Sequence, residues 1–227
     1  MKPCFMFPLV LAGPALGGEI PVLHGADCPV ILTVQSQDCT VSHVRHCAGE
    51  ALGATTTVTY DSDGYMTTSV ADAQGGWVES YAVWDQAIER TLPDPADPVS
   101  LDDLLADMVD TYDFRMTHAA GGVSRTLRVI GADLLTGREV TIDGVKLREV
   151  STDLRILEED GAVHYQTRGM QYVSPEMRLW FLGTDAVQES DGSITNYDSR
   201  PVTFRFPGDP GFATTVPKFG CIAAPGK

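Results

Sequence analysis

Positive charge is scarce in this sequence. Its 16 Lys and Arg stand against 31 Asp and Glu, a formal net charge of −15 at pH 7, and the Lys and Arg form no cluster. Phosphate backbones and anionic lipid surfaces are bound by neutralising them with such clusters, so nucleic-acid and anionic-membrane partners are excluded. An acid excess of this kind serves solubility first. Long apolar runs are also missing, since no window approaches the roughly 20 residues of a transmembrane helix. Asn196 is the only asparagine, and lysine is rarer than arginine. With abundant Ala, Gly, Asp and Val, that bias is expected of a GC-rich bacterial genome.

Catalytic signatures are lacking as well. There is no Gly-x-Ser-x-Gly elbow, no Gly-rich phosphate loop after a strand and no Cys-x-x-Cys-His haem site. No cofactor is expected. His118 and His164 read as strand-face or turn residues. The acidic pairs Asp102-Asp103 and Glu158-Glu159 fall at a helix start and a turn, where solvation accounts for them.

What is present begins with an export-like leader. Lys2 supplies a positive n-region, Cys4–Leu16 an apolar stretch too short to span a bilayer, and Ala15-Leu16-Gly17 a small-x-small cleavage site. The reading is a signal peptide at 1–17 and a single exported domain at 18–227, with a subdomain break at the Pro-rich stretch 93–98. A periplasmic or secreted protein follows. Cys28, Cys39, Cys47 and Cys221 then remain, and in an oxidising compartment four thiols imply two disulfides. The leading pairing is Cys39–Cys47 with Cys28–Cys221, and the competing one is Cys28–Cys47 with Cys39–Cys221. His43 and His46 lie between Cys39 and Cys47, a set that could surround zinc or copper. The spacing fits no zinc finger, and oxidation would remove the thiolates, so disulfide plus two histidines is the preferred reading.

Most of the chain predicts strands. Val30–Val34 is β-branched, and Thr55–Tyr60 and Tyr65–Val70 flank Asp61-Ser62-Asp63-Gly64, a hairpin signature. An EF-hand reading of those acids fails for want of a third ligand and a distal Glu. Trp77, Tyr81, Trp84 and Ile88 recur with the spacing of a helical face, although the same stretch has strand propensity. Ser100 with Asp103 predicts a capped helix whose apolar face is Leu101, Leu104, Leu105, Met108 and Val109, ending near 110–113.

Beyond it the period becomes two. Strands are expected at Phe114–Thr117, Ser124–Ile130, Glu139–Ile142, Val145–Arg148, Thr152–Leu157, Val163–Arg168, Met177–Leu182, Ser193–Tyr197 and Val202–Phe206. Thr136-Gly137, Asp143-Gly144, Asp160-Gly161 and Asp191-Gly192 read as their turns. Strands joined so tightly are antiparallel neighbours. The expected fold is α+β but mainly β: a curved antiparallel meander packed against one or two amphipathic helices and stapled by disulfides.

The expected function is non-enzymatic: a binding or carrier module for a lipid or other hydrophobic or amphipathic ligand, with Trp77, Tyr81, Trp84 and Leu105 as lining residues. An envelope protein-interaction module is the alternative, and a metal-assisted hydrolase using His43 and His46 ranks third.

Overall fold

The computed structural model describes residues 28–188 and 192–221. The proposed leader lies outside them. The described residues form one antiparallel sheet of 13 strands with a single short helix. In chain order the first six strands are β1 (Val30–Ser36), β2 (Val41–Arg45), β3 (Thr55–Asp61), β4 (Gly64–Ala71), β5 (Trp77–Ala82) and β6 (Ile88–Thr91). The helix α1 (Leu101–Asp107) follows, then β7 (Val109–Ala120), β8 (Val123–Ile142), β9 (Val145–Leu157), β10 (Val163–Ser174) and β11 (Leu179–Gln188). β12 (Ile194–Asp198) and β13 (Pro201–Arg205) complete the sheet.

Strands β1 to β12 lie side by side in chain order, and β13 pairs with β1. Thus β12 and β13 occupy opposite edges of the sheet although only Ser199 and Arg200 separate them in the chain. The sheet must therefore curl until its edges approach, and it does so without closing into a barrel. The Gln37 amide donates to the Arg200 carbonyl (3.0 Å) and the Ser199 amide to the Gly183 carbonyl (2.7 Å). Phe181 and Phe204 meet edge to face at 5.1 Å within an apolar cluster that joins Leu32, Val34 and Val44 of the first strands to Leu147 and Tyr172 of the later ones. The β8–β9 hairpin tip reaches the same seam, where Asp143 accepts from the Phe204 amide at 2.9 Å and pairs with Arg205.

Local chemistry explains the elements. Asp61 Oδ1 accepts from the amides of Asp63 and Gly64 in the β3–β4 turn, and Gly64 adopts φ 120°, which a side chain would resist. The Ser100 hydroxyl accepts from the Asp103 amide at 3.1 Å, capping α1. Leu101 and Leu104 are fully buried against Leu135, Val150 and Val173. The helix stops at Asp107 because Met108 turns left-handed, so Val109 opens a strand instead of extending the helical face.

The structure settles one open reading and corrects others. Of the two readings of residues 77–91, strand holds: they form two strands and a turn, because Trp77–Ala82 finds ladder partners on β4 and β6. Thr136-Gly137 is a bulge inside β8, not a turn between strands: Leu135 opposes Val150 and Glu139 opposes Arg148, leaving 136–138 against Glu149 alone. The Thr136 hydroxyl donates to the Glu149 carboxylate there (3.1 Å). The two strands expected within 145–157 likewise merge into β9.

The disulfides follow the competing pairing and not the leading one. They join Cys28 to Cys47, 19 residues apart, and Cys39 to Cys221, 182 residues apart. Antiparallel pairing of β1 with β2 sets Cys28 beside Cys47, and the C-terminal segment crosses the outer face of the same two strands. The Ala213 amide donates to the Thr33 hydroxyl, Gln35 bonds the backbone at Val216 and Lys218, and the Cys39 amide donates to the Phe219 carbonyl. Two disulfides point to an oxidising, extracytoplasmic environment. Among the described residues no helix is long and apolar enough to cross a membrane.

Candidate functional site: a two-faced cavity inside the curled sheet

Curling gives the sheet an inner and an outer face. The inner face of β2 to β5 carries mostly small side chains. Ser42 opposes Thr59, which opposes Thr67; Thr57 opposes Ser69, which opposes Ser80; Thr55 opposes Ala71. Short side chains cannot fill a concave surface, and a cavity of about 480 Å³ lies over this wall. Across from it stand Tyr112, Phe114, Leu154 and Phe181, and Trp77 at the start of β5 borders the space as well. Trp77 meets Phe114 edge to face at 6.0 Å, and Tyr112 lies 6.3 Å from Phe114. One wall offers hydroxyls and the other aromatic and aliphatic surface.

Hydroxyl partners are unevenly distributed. Ser42 and Thr59 bond each other at 2.9 Å, and Thr40 donates to Asp38 at 2.6 Å. Thr57, Thr67 and Ser69 also line the space, and among the described residues their hydroxyls have no protein partner. Such groups orient a ligand by hydrogen bonding, while the apolar wall supplies burial.

A carboxyl also reaches this space. Asp133 on β8 lines the cavity yet is only 5% exposed, and Asp110 on β7, 4% exposed, is its direct partner in the ladder. Thr152 donates to Asp133 Oδ1 at 2.6 Å, and the Ser100 amide donates to Asp110 Oδ2 at 2.9 Å. Desolvation pushes each carboxyl up to about 6 despite those bonds, and Asp110 adds repulsion to Asp133. Burial in turn pushes the Tyr112 phenol upward. The Tyr112 ring crosses the β8 backbone at Gly131, where a Cβ would come within 2.5 Å of it.

One end of the cavity is gathered by three segments. Arg178, in the β10–β11 turn, bonds Asp102 of α1 at 2.8 Å and the Ala73 carbonyl of the β4–β5 turn. Gln74 accepts from the Asp102 amide and donates to its carboxylate. Arg178 thereby holds the Asp102 carboxyl below its ordinary range. Trp180 packs against Gly75 here, and among the described residues its buried indole nitrogen has no partner.

Of the four lining residues expected from sequence, only Trp77 borders the cavity. Tyr81 is on the outer face, stacked on Tyr65 with centroids 6.3 Å apart. Trp84 sits in the β5–β6 turn, 65% exposed. Leu105 packs beside the Leu101 and Leu104 cluster. Helical spacing would group Trp77, Tyr81 and Trp84, and strand geometry separates them.

Compared with protein-family models, curated proteins and solved structures, the chain matches none.

His43 and His46 do not converge. His43 Nε2 donates to the Thr214 carbonyl beneath the C-terminal segment (2.8 Å), and His46 Nδ1 donates to the Ala54 carbonyl (2.8 Å). Burial lowers the His43 pKa, keeping the ring neutral. Cys39 and Cys47 are taken up by separate disulfides, and among the described residues no group of three or more His, Cys, Asp or Glu is placed to hold a metal ion.

Sequence reasoning missed the hydroxyl wall and Asp133. Both carried a signal: inward Thr55, Thr57 and Thr59 alternate with Thr56, Val58 and Tyr60. An acid also interrupts the apolar period of Leu127, Val129, Gly131, Asp133 and Leu135.

Proposed function

We propose that this chain is a non-enzymatic binding or carrier module of the periplasm or the cell exterior, taking an amphipathic small molecule into the cavity of its curled sheet. The observation that carries the reading is the pairing of a hydroxyl wall with an aromatic wall around about 480 Å³, within the 300–1,000 Å³ range of small-molecule sites. A purely apolar ligand would leave Thr57, Thr67 and Ser69 desolvated without partners, which costs free energy. An amphiphile satisfies both walls. The test is uptake of a fluorescent acyl probe by the folded protein, set against a variant in which Thr57→Leu fills the space. Uptake by the parent and its loss in the variant support the reading; no uptake by either overturns it.

A second reading, an envelope interaction module, draws on β12. This edge strand exposes Ile194 and Tyr197, and an uncovered edge can accept a partner strand. Copurification of a stoichiometric partner, lost on replacing Ile194 with Lys, would favour it over the carrier.

A further inference from the structure

We propose that the ligand of this cavity is a cationic amphiphile, whose protonated amine is held by Asp133 while its apolar part lies along Tyr112, Phe114 and Leu154. The inference rests on the carrier reading and adds the chemistry of the polar end.

Asp133 is a buried acid without a counter-charge among the described residues. Asp133 and Asp110 stand side by side on β7 and β8, both almost wholly buried. Their partners are a hydroxyl, Thr152, and an amide, Ser100 N. The charged or ionisable groups that act on the pair are Asp97 and Asp103, which face Asp110 and are themselves acidic, and the neutral Tyr112 phenol. No Lys, Arg or His of the described residues pairs with either carboxyl. Buried carboxylates are ordinarily matched by a cation or neutralised by a proton. Of the two, Asp133 borders the cavity, where a ligand can bring the cation that none of the described residues supplies to it.

An ammonium group fits this place in three respects. It donates to Asp133 in a charge-assisted bond, stronger than the neutral bond an alcohol could make. The ring faces of Tyr112 and Phe114 favour a cation over an anion. The net charge of −15 attracts cations from solution and repels fatty acids. Arg178, a cation that also lines the cavity, already bonds Asp102 and the Ala73 carbonyl, so it is not poised for an acidic headgroup.

The experiment compares three ligands of one chain length, dodecylamine, dodecanol and dodecanoate, by competition against a neutral fluorescent amphiphile at pH 7.5. The amine is expected to bind about tenfold or more tighter than the alcohol, the increment of a hydrogen bond to a charged group. The acid is expected to be weakest. Lowering the pH through 6 should erase the amine's advantage as Asp133 takes up a proton, since dodecylamine stays charged throughout. In Asp133→Asn that advantage should vanish at pH 7.5. Equal binding of all three, or a preference for the acid, would overturn the inference while leaving the carrier reading in place. Failure of every probe to bind would overturn the carrier reading itself. The pH series on the unaltered protein decides the matter even if the variant fails to fold.

Discussion

Asp110 and Asp133 face each other across β7 and β8, two buried carboxyls in direct register with no cation between them. Asp133 titrates at about 6 in the fold against an ordinary 3.8. Between those values the folded chain binds more protons than the unfolded one, so stability falls as pH rises through the window, and the penalty is complete above about 6. Asp133→Asn keeps the acceptor for Thr152 and removes the charge. It should stabilise the protein at pH 8 by on the order of 3 kcal/mol and leave stability at pH 4 nearly unchanged. Urea unfolding at both pH values checks this; equal effects at the two would refute the burial of an ionising carboxyl.

Filling the cavity tests its role. Thr57→Leu and Ser69→Leu place apolar volume over the hydroxyl wall, where space exists to receive it. Each should alter stability by less than about 1 kcal/mol and abolish acyl-probe uptake. Trp84→Ala, at an exposed turn, should change both by little, within about 0.5 kcal/mol for stability. Thermal melts and probe titrations on the three variants distinguish the lining from the surface. If Trp84→Ala alone lost uptake, the site would have to be moved to that turn.

The ring of Tyr112 lies against the β8 backbone at Gly131. Gly131→Ala puts a methyl within 2.5 Å of that ring, so the ring must leave its place on the β8 backbone. A loss of about 1–3 kcal/mol is expected, read by chemical denaturation. A neutral outcome would mean that Tyr112 swings freely into the cavity.

The C-terminal segment is tied down by Cys39–Cys221. On the chain-entropy model, closing a loop of 182 residues contributes on the order of 5 kcal/mol, against about 3 kcal/mol for the shorter Cys28–Cys47 loop. Cys221→Ser, made with Cys39→Ser, should therefore lower stability more than the Cys28/Cys47 double serine variant. Hydrogen exchange should show the added opening at the Cys39 and Ala213 amides, which bond across this contact. The reverse ranking would show that the hydrogen bonds to Thr33, Gln35 and His43 hold the segment unaided.

Local chemistry made the meander readable. Asp-Gly turns, period-two strands and the Ser100 cap each announce themselves within four residues. Features set by distant partners stayed hidden. Thr136-Gly137 has the composition of a turn and of a bulge, and only the register of β9 decides between them. The spacing of Trp77, Tyr81, Trp84 and Ile88 matched a helix, yet ladder bonds to β4 and β6 made it strand and turn. Cys28 and Cys47 meet because β1 pairs with β2. The cavity was the least legible feature of all. Thr57 and Ser69 look like ordinary strand formers until the sheet curls and turns them inward.

The most direct test of the account is native mass spectrometry of the protein purified from the organism that makes it, before and after extraction with organic solvent. The account predicts an adduct that extraction removes, leaving a chain with two disulfides, and an extract containing an amphiphile. A protein already free of any small molecule, which then takes up no amphipathic probe, would contradict it.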